Sequence, residues 1–127
     1  FKTELLEAVH NFSSDTFKLA LYTASASLGA TTTVYTSDNE AVAIGYDPGG
    51  AVMTGVTVNF SGSTAFVAFA DVSWTAALTV RGALIYNVSK GNKSVAVLNF
   101  GSDKISTTNF VVQMPTPDAS NALIRVS

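Results

Sequence analysis

The sequence predicts a mainly β fold: one antiparallel β-sandwich or jelly-roll-like domain over residues 1–127, with about seven strands and one or two short helices. Three observations lead there. Apolar residues repeat with period two in short runs. Gly, Pro, Asn and Ser punctuate those runs at close intervals, which favours antiparallel pairing because parallel strands need long crossovers. Helical periodicity is confined to the first third of the chain. A closed barrel is the second choice of architecture.

The opening "FKTELLEAVHNF" sets Phe1, Leu5, Leu6 and Val9 at helical spacing, with Lys2, Glu4 and Glu7 off that face. It predicts an amphipathic helix over Thr3 to Val9, stopped by Asn11 and the Ser13-Ser14-Asp15 cluster. "TFKLALYT" then alternates, with Phe17, Leu19 and Leu21 on one face and Lys18, Ala20 and Tyr22 on the other, as in a half-buried strand. Ala24 to Thr36 is small and polar and reads as a loop. In "SDNEAVAIG", Ser37 and Glu40 stand at capping-box spacing and Gly45 at a stop position, so a second short helix is expected.

Strands follow from there. Val52 to Phe60 is one; Thr64 to Asp71, apolar on both faces, reads as a central one. "LTVRGALIYN" places Leu78, Val80, Leu84 and Tyr86 on one face, with Arg81 and Asn87 opposite. The Ser89–Lys93 turn joins it to Ser94–Phe100 as a hairpin. Phe110 to Met114 and Leu123 to Val126 complete the set, separated by Pro115 and Pro117.

Composition narrows the chemistry. Charged residues are 13% of the chain, seven basic against nine acidic, for a net charge of −2. The scattered basic residues argue against a nucleic-acid partner, which requires clustered Lys and Arg. With no cysteine there is no disulfide, thiolate metal site or cysteine nucleophile. No apolar run reaches bilayer length, so no membrane partner is expected. No basic start with an apolar core marks a signal peptide. Phe1 stands where Met would begin a gene product, so the natural start is expected to lie elsewhere.

Each chemical candidate has a simpler account. The glycines of "AIGYDPGGAVMTG" follow a helix signal and enter a strand with no lysine behind them, so they turn the chain rather than cradle phosphate. His10, the single histidine, lacks a recognisable nucleophile partner and reads as a residue beside the last carbonyls of the first helix. The aspartates sit singly, and Asp38-Asn39-Glu40 lacks the alternating order of a calcium loop. Asn11, Asn59, Asn87 and Asn92 match the glycosylation triplet. Trp74 with Tyr22, Tyr35, Tyr46 and Tyr86 could offer a sugar-stacking platform, though core or oligomer interface is the commoner use of such residues. No catalytic set, cofactor site or metal site is expected, and the chain is not read as an enzyme.

The order "FKTELLEAVHNF…DTFKLALYT", "SDNEA…GY…GG" and "FADVSWT…VRGALIYN…KSVAVLNFG" resembles small, uncharacterised bacteriophage proteins encoded among virion structural genes. The likeness runs along nearly the whole chain. It implies a virion localisation and a β-rich subunit bound to the major capsid protein or other virion proteins, commonly as a homo-oligomer, with a trimer as the first guess. A capsid decoration (cement) protein is the leading expectation. A tail, baseplate or fibre-associated subunit is the alternative, and a carbohydrate-binding host-recognition module a further one. The family carries no functional motif to transfer. Partner-interface candidates therefore come from the residues alone: Leu5, Leu6 and Val9 on the first helix, Tyr46, and Trp74. For the helix, covering an open end of its own sandwich is favoured over docking.

Overall fold

The computed structural model describes all residues, Phe1–Ser127. The chain is mainly β, with nine strands in antiparallel sheets and one short helix, α1 (Lys2–Leu6). The strands are β1 (Phe17–Tyr22), β2 (Ala51–Val52), β3 (Thr57–Ser61), β4 (Thr64–Ala68), β5 (Val72–Trp74), β6 (Thr79–Asn87), β7 (Lys93–Ile105), β8 (Phe110–Val112) and β9 (Ile124–Val126). They form a four-stranded sheet in the order β2-β1-β6-β7, a three-stranded sheet β3-β4-β9 and a pair β5-β8. One core cluster ties a face of the large sheet (Phe17, Leu19, Leu21, Ala83, Ile85) to Val67 of the second and to Trp74, Phe110 and Val112 of the third. This layering is sandwich-like.

The expected hairpin forms as β6 and β7, with Gly91 left-handed in the connecting turn and a 3-10 turn at Val88–Lys90. Strand β4 is central in its sheet, as its two apolar faces imply. The β3–β4 turn is the two-residue Gly62-Ser63, with positive φ at Gly62 alone among the two, as a type II′ turn requires.

Several expectations are corrected. Helix α1 stops at Leu6 rather than Val9, because Ala8 takes a left-handed φ of 60° and redirects the chain so that His10 and Phe12 enter the interior. The expected strand over Val52 to Phe60 is broken into β2 and β3 by Gly55 at φ 63°. Strand β5 has no counterpart among the expected elements, yet Val72, Trp74, Ala76, Leu78 and Val80 alternate strictly inward from residue 72 to 80. A bulge between Val80 and Gly82 then shifts the phase. Val80 therefore shares its face with Ala83 and Ile85, whereas Leu84 and Tyr86 lie on the other face. Asn87 is fully buried rather than on a polar face.

No helix forms between Ser37 and Gly45. Asn39 adopts a left-handed φ of 59°, and the segment is instead drawn along the edge of β1: Thr23 N–H donates to Asn39 O and Ala41 N–H to Leu21 O. Residues 39–41 thus continue the side of β1 that β2 occupies lower down, where Lys18 pairs with Val52 and Leu19 with Ala51. Strand β1 is consequently buried on both faces, not half-buried. Ala26, Leu28 and Tyr35 of the expected loop cover its outer face by packing on Ala20, Tyr22, Leu84 and Tyr86.

Candidate functional site: two buried polar networks and an uncharged edge

The first network surrounds Glu40. The capping-box spacing picks out the right residue in the wrong role, because the side chain turns inward and is buried instead of capping a helix. Tyr35 O–H donates to Oε1 at 2.5 Å, Tyr46 O–H to Oε2 at 2.6 Å, and Gly49 N–H to Oε2 at 2.8 Å. The Asp47-Pro48-Gly49-Gly50 turn supplies that last donor. Gly50 N–H closes it on Asp47 O, and Gly49 takes the φ of 93° that a type II turn demands at its third position. The glycines do turn the chain, and in turning it they aim an amide at a carboxylate. Tyr46 O–H also accepts from Leu21 N–H, Tyr86 O–H donates to Gly49 O, and Tyr22 O–H donates to Thr36 O. All four tyrosines of the chain belong to this cluster. Burial raises the phenols of Tyr22, Tyr35 and Tyr46, and the Glu40 charge raises them further; Tyr86 is pushed up to about 12.

The second network holds His10, which is buried and does not sit over helix carbonyls. Its Nε2 lies 2.9 Å from Glu4 Oε1 and its Nδ1 3.1 Å from Asn87 Nδ2, which also donates to Asp15 Oδ2 at 2.8 Å. A carboxylate can only accept, so the Asn87 nitrogen must face Asp15 and donates to His10 Nδ1 as well. His10 is thereby fixed as the Nε2–H tautomer, donating to Glu4. The hydrogen bond from His10 is the chief reason Glu4 is held below its usual value. Burial alone would raise Asp15, but bonds from the Asn11 amide and the Asn87 side chain outweigh it and leave the group lowered. The network ties the N-terminal segment to the end of β6.

Neither network opens into a cleft lined by converging acids, and no three His, Asp or Glu side chains come together as a metal ligand set. No helix is long and apolar enough to cross a membrane. Of the glycosylation triplets, Asn87 is fully buried, while Asn11, Asn59 and Asn92 are exposed.

The interface candidates separate. Tyr46 is inside the Glu40 cluster, and Trp74 is buried between Tyr46 and Phe110, with ring centroids 5.8 and 6.4 Å away. Trp74, Tyr22, Tyr46 and Tyr86 are all buried and Tyr35 half-buried, so they form no exposed aromatic platform. Leu5 packs against the core beside Phe1, and Val9 is half-buried. Leu6 points outward, 90% exposed.

The apolar surface that does face outward lies mostly elsewhere. Val42 and Ile44, at 96% and 98% exposure, project from the loop between Ala41 and Tyr46. Every residue of β3 is exposed, with Phe60 at 81%. Register aligns Phe60, Ala65 and Val126 across β3, β4 and β9, next to the row Val58, Val67 and Ile124 on the same face. Val67 and Ile124 belong to or pack on the core, so the outer row carries the core face into solvent. Residues 48–70 include no charged side chain at all. Sequence reasoning passes over this edge; the signal is the uncharged run itself, with β-branched and aromatic residues alternating through Val56, Val58 and Phe60.

No protein-family model, no curated protein and no solved structure matches this chain.

Proposed function

We propose that this protein is a structural subunit of a bacteriophage virion, acting as a decoration protein that strengthens the capsid through contact rather than chemistry. The observation that carries the contact half of this reading is the set of large apolar side chains left exposed: the charge-free β3 edge, Val42 and Ile44 on their loop, and Leu6. Apolar surface left in water is the raw material of association, because covering it returns about 25 cal/mol per Å². The virion half rests on the order of segments that resembles small phage structural proteins.

On this reading the polar residues serve folding. Glu40, the tyrosines, His10 and Asn87 are spent on holding loops and termini to the sheet, and the chain has no catalytic step of its own. A decorating subunit binds the shell and its own copies through interfaces of about 1,600 Å² or less. Repetition in a lattice then compensates for the weakness of each contact.

The test is to compare particles assembled with and without the subunit. The reading expects that particles lacking it lose their contents at lower temperature, and that imaging places the subunit on the shell at a copy number set by the lattice. Equal heat resistance would reject the cementing role, and a few copies at one vertex would move the subunit to the tail.

A further inference from the structure

The β3 edge has a property beyond being apolar: it fits itself. In a hairpin closed by two residues, the pair flanking the turn, here Ser61 and Thr64, is the hydrogen-bonded one. Thr57, Asn59 and Ser61 therefore direct their backbone groups to β4. Val58 and Phe60 direct theirs outward, to the side where the sheet ends. Natural edge strands are commonly blunted by Lys, Pro, an inward charge or a covering loop. This one has none of these: β3 is TVNFS, exposed along its length, in a 23-residue stretch, Pro48 to Ala70, without charge.

We propose that the free edge of β3 is a homotypic contact, in which two copies pair their β3 strands antiparallel about a two-fold axis at Asn59. The two three-stranded sheets then become one continuous sheet of six strands.

The register follows from the backbone. Centring on Asn59 sets Val58 of each copy opposite Phe60 of the other, so the outward N–H and C=O groups of both residues meet as hydrogen-bonded pairs. The same register places a β-branched side chain against an aromatic one, twice, on the face that already carries Ala65 and Val126. On the opposite face the two Asn59 side chains meet at the axis, where amides can donate to and accept from each other. No charge stands in the strand to repel its copy, and none is present to select a charged partner. A second copy of this chain is thus the occupant that matches every feature of the edge.

Five residues extend only about 17 Å, and a stable dimer usually buries about 1,600 Å² in total. The contact is therefore weak and reversible in dilute solution and effective where copies are held close. An isologous contact closes on two copies; a trimer would need another surface. The isolated protein carries this edge whether or not it belongs to a virion, so the pairing stands apart from the virion reading.

The absence of cysteine makes the register directly testable. In this geometry the two Asn59 positions form a non-hydrogen-bonded pair with Cα atoms about 4.5 Å apart, within disulfide reach. Asn59→Cys should cross-link to itself under mild oxidation at least about tenfold faster than Thr57→Cys, whose opposite number is Ser61 of the other copy. Thr57→Cys mixed with Ser61→Cys should instead cross-link to each other. Adding Val58→Pro to Asn59→Cys removes one outward N–H without touching the β4 ladder, and should bring the rate down to the Thr57→Cys level. If Asn59→Cys cross-links no faster than Thr57→Cys, or if Val58→Pro leaves its rate unchanged in a protein with native circular dichroism, the proposal is overturned.

Discussion

Tyr46 stands in for a strand that is missing: its hydroxyl accepts the Leu21 amide at 2.8 Å while donating to Glu40 at 2.6 Å. Between the pairing of Leu19 with Ala51 and the bond from Ala41 to Leu21 O, the chain bulges away from the edge of β1. The phenol fills the gap in the ladder that this leaves. Removing that oxygen leaves two buried groups short of a partner at once, so Tyr46→Phe is expected to cost about 1–3 kcal/mol. Urea denaturation measures it. A midpoint unchanged from the parent protein would show that the hydroxyl is dispensable.

The four phenols have a shared consequence at high pH. Each is raised in the folded state above the ordinary phenol value of 10.0. A raised acid contributes stability that is complete below the unfolded value and lost as pH climbs toward the folded one. Stability is therefore expected to hold up to about pH 10 and to fall between there and the neighbourhood of 12, where Tyr86 titrates in the fold. Tyrosinate absorbance and β circular dichroism should change together. Tyrosinate appearing well before any loss of structure would contradict the buried arrangement.

At the acid end the sign reverses. Glu4 and Asp15 are lowered from 4.5 and 3.8, so their contribution is complete above those values and drains away as pH falls through the depressed ones. Glu4→Gln should flatten the decline of the denaturation midpoint below about pH 4.5. A slope identical to that of the parent would mean that the His10 bond does not form in solution.

Asn87→Asp exchanges a donor for an acceptor between Asp15 and His10 Nδ1. With a new carboxylate at the fully buried position 87 facing the half-buried Asp15, the cost is expected to be about 1–3 kcal/mol near neutral pH. Nitrogen NMR of the imidazole should report the Nε2–H tautomer in the parent protein. A Nδ1–H tautomer would require Asn87 to be turned the other way.

Two glycines with positive φ should behave differently. At Gly62 the added methyl of Ala would meet no neighbour, so the cost is only that of forcing a side chain into the positive-φ position of the type II′ turn, about 1–3 kcal/mol. At Gly50 the same methyl would lie 1.8 Å from Leu19 O, inside the β1 edge. Gly50→Ala should therefore cost several times more than Gly62→Ala, or prevent folding; equal losses by thermal denaturation would refute the close approach.

Much of this architecture can be read from residue order, and the failures have physical causes. The β6–β7 hairpin, the central place of β4 and the turn at Pro48-Gly49 follow from local periodicity and turn chemistry, which depend on neighbours in the chain. Ser37 and Glu40 have the same spacing whether Glu40 caps a helix or faces inward, and Tyr46, which decides between them, is distant from β1 in sequence. In β6 the alternation is correct on either side of Arg81, but a one-residue bulge exchanges the faces and no composition marks it. His10 and Asn87 are 77 positions apart, so nothing local announces that they meet. The β3 edge is legible as a charge-free run, although its openness depends on the order of strands in the sheet.

The loop carrying Val42 and Ile44 is anchored at both ends, by Ala41 on Leu21 and by Tyr46 on Leu21 and Glu40, and in between Ala43 packs on the core and Gly45 lies against Thr75 and Ala76, so that only the Val42 and Ile44 side chains stand clear. Those two side chains, and not the loop's backbone, are therefore uncoupled from the interior. Exchanging both for polar side chains, with Ala43 and Gly45 kept, would make the outside of the molecule less adhesive and leave its melting behaviour as it is.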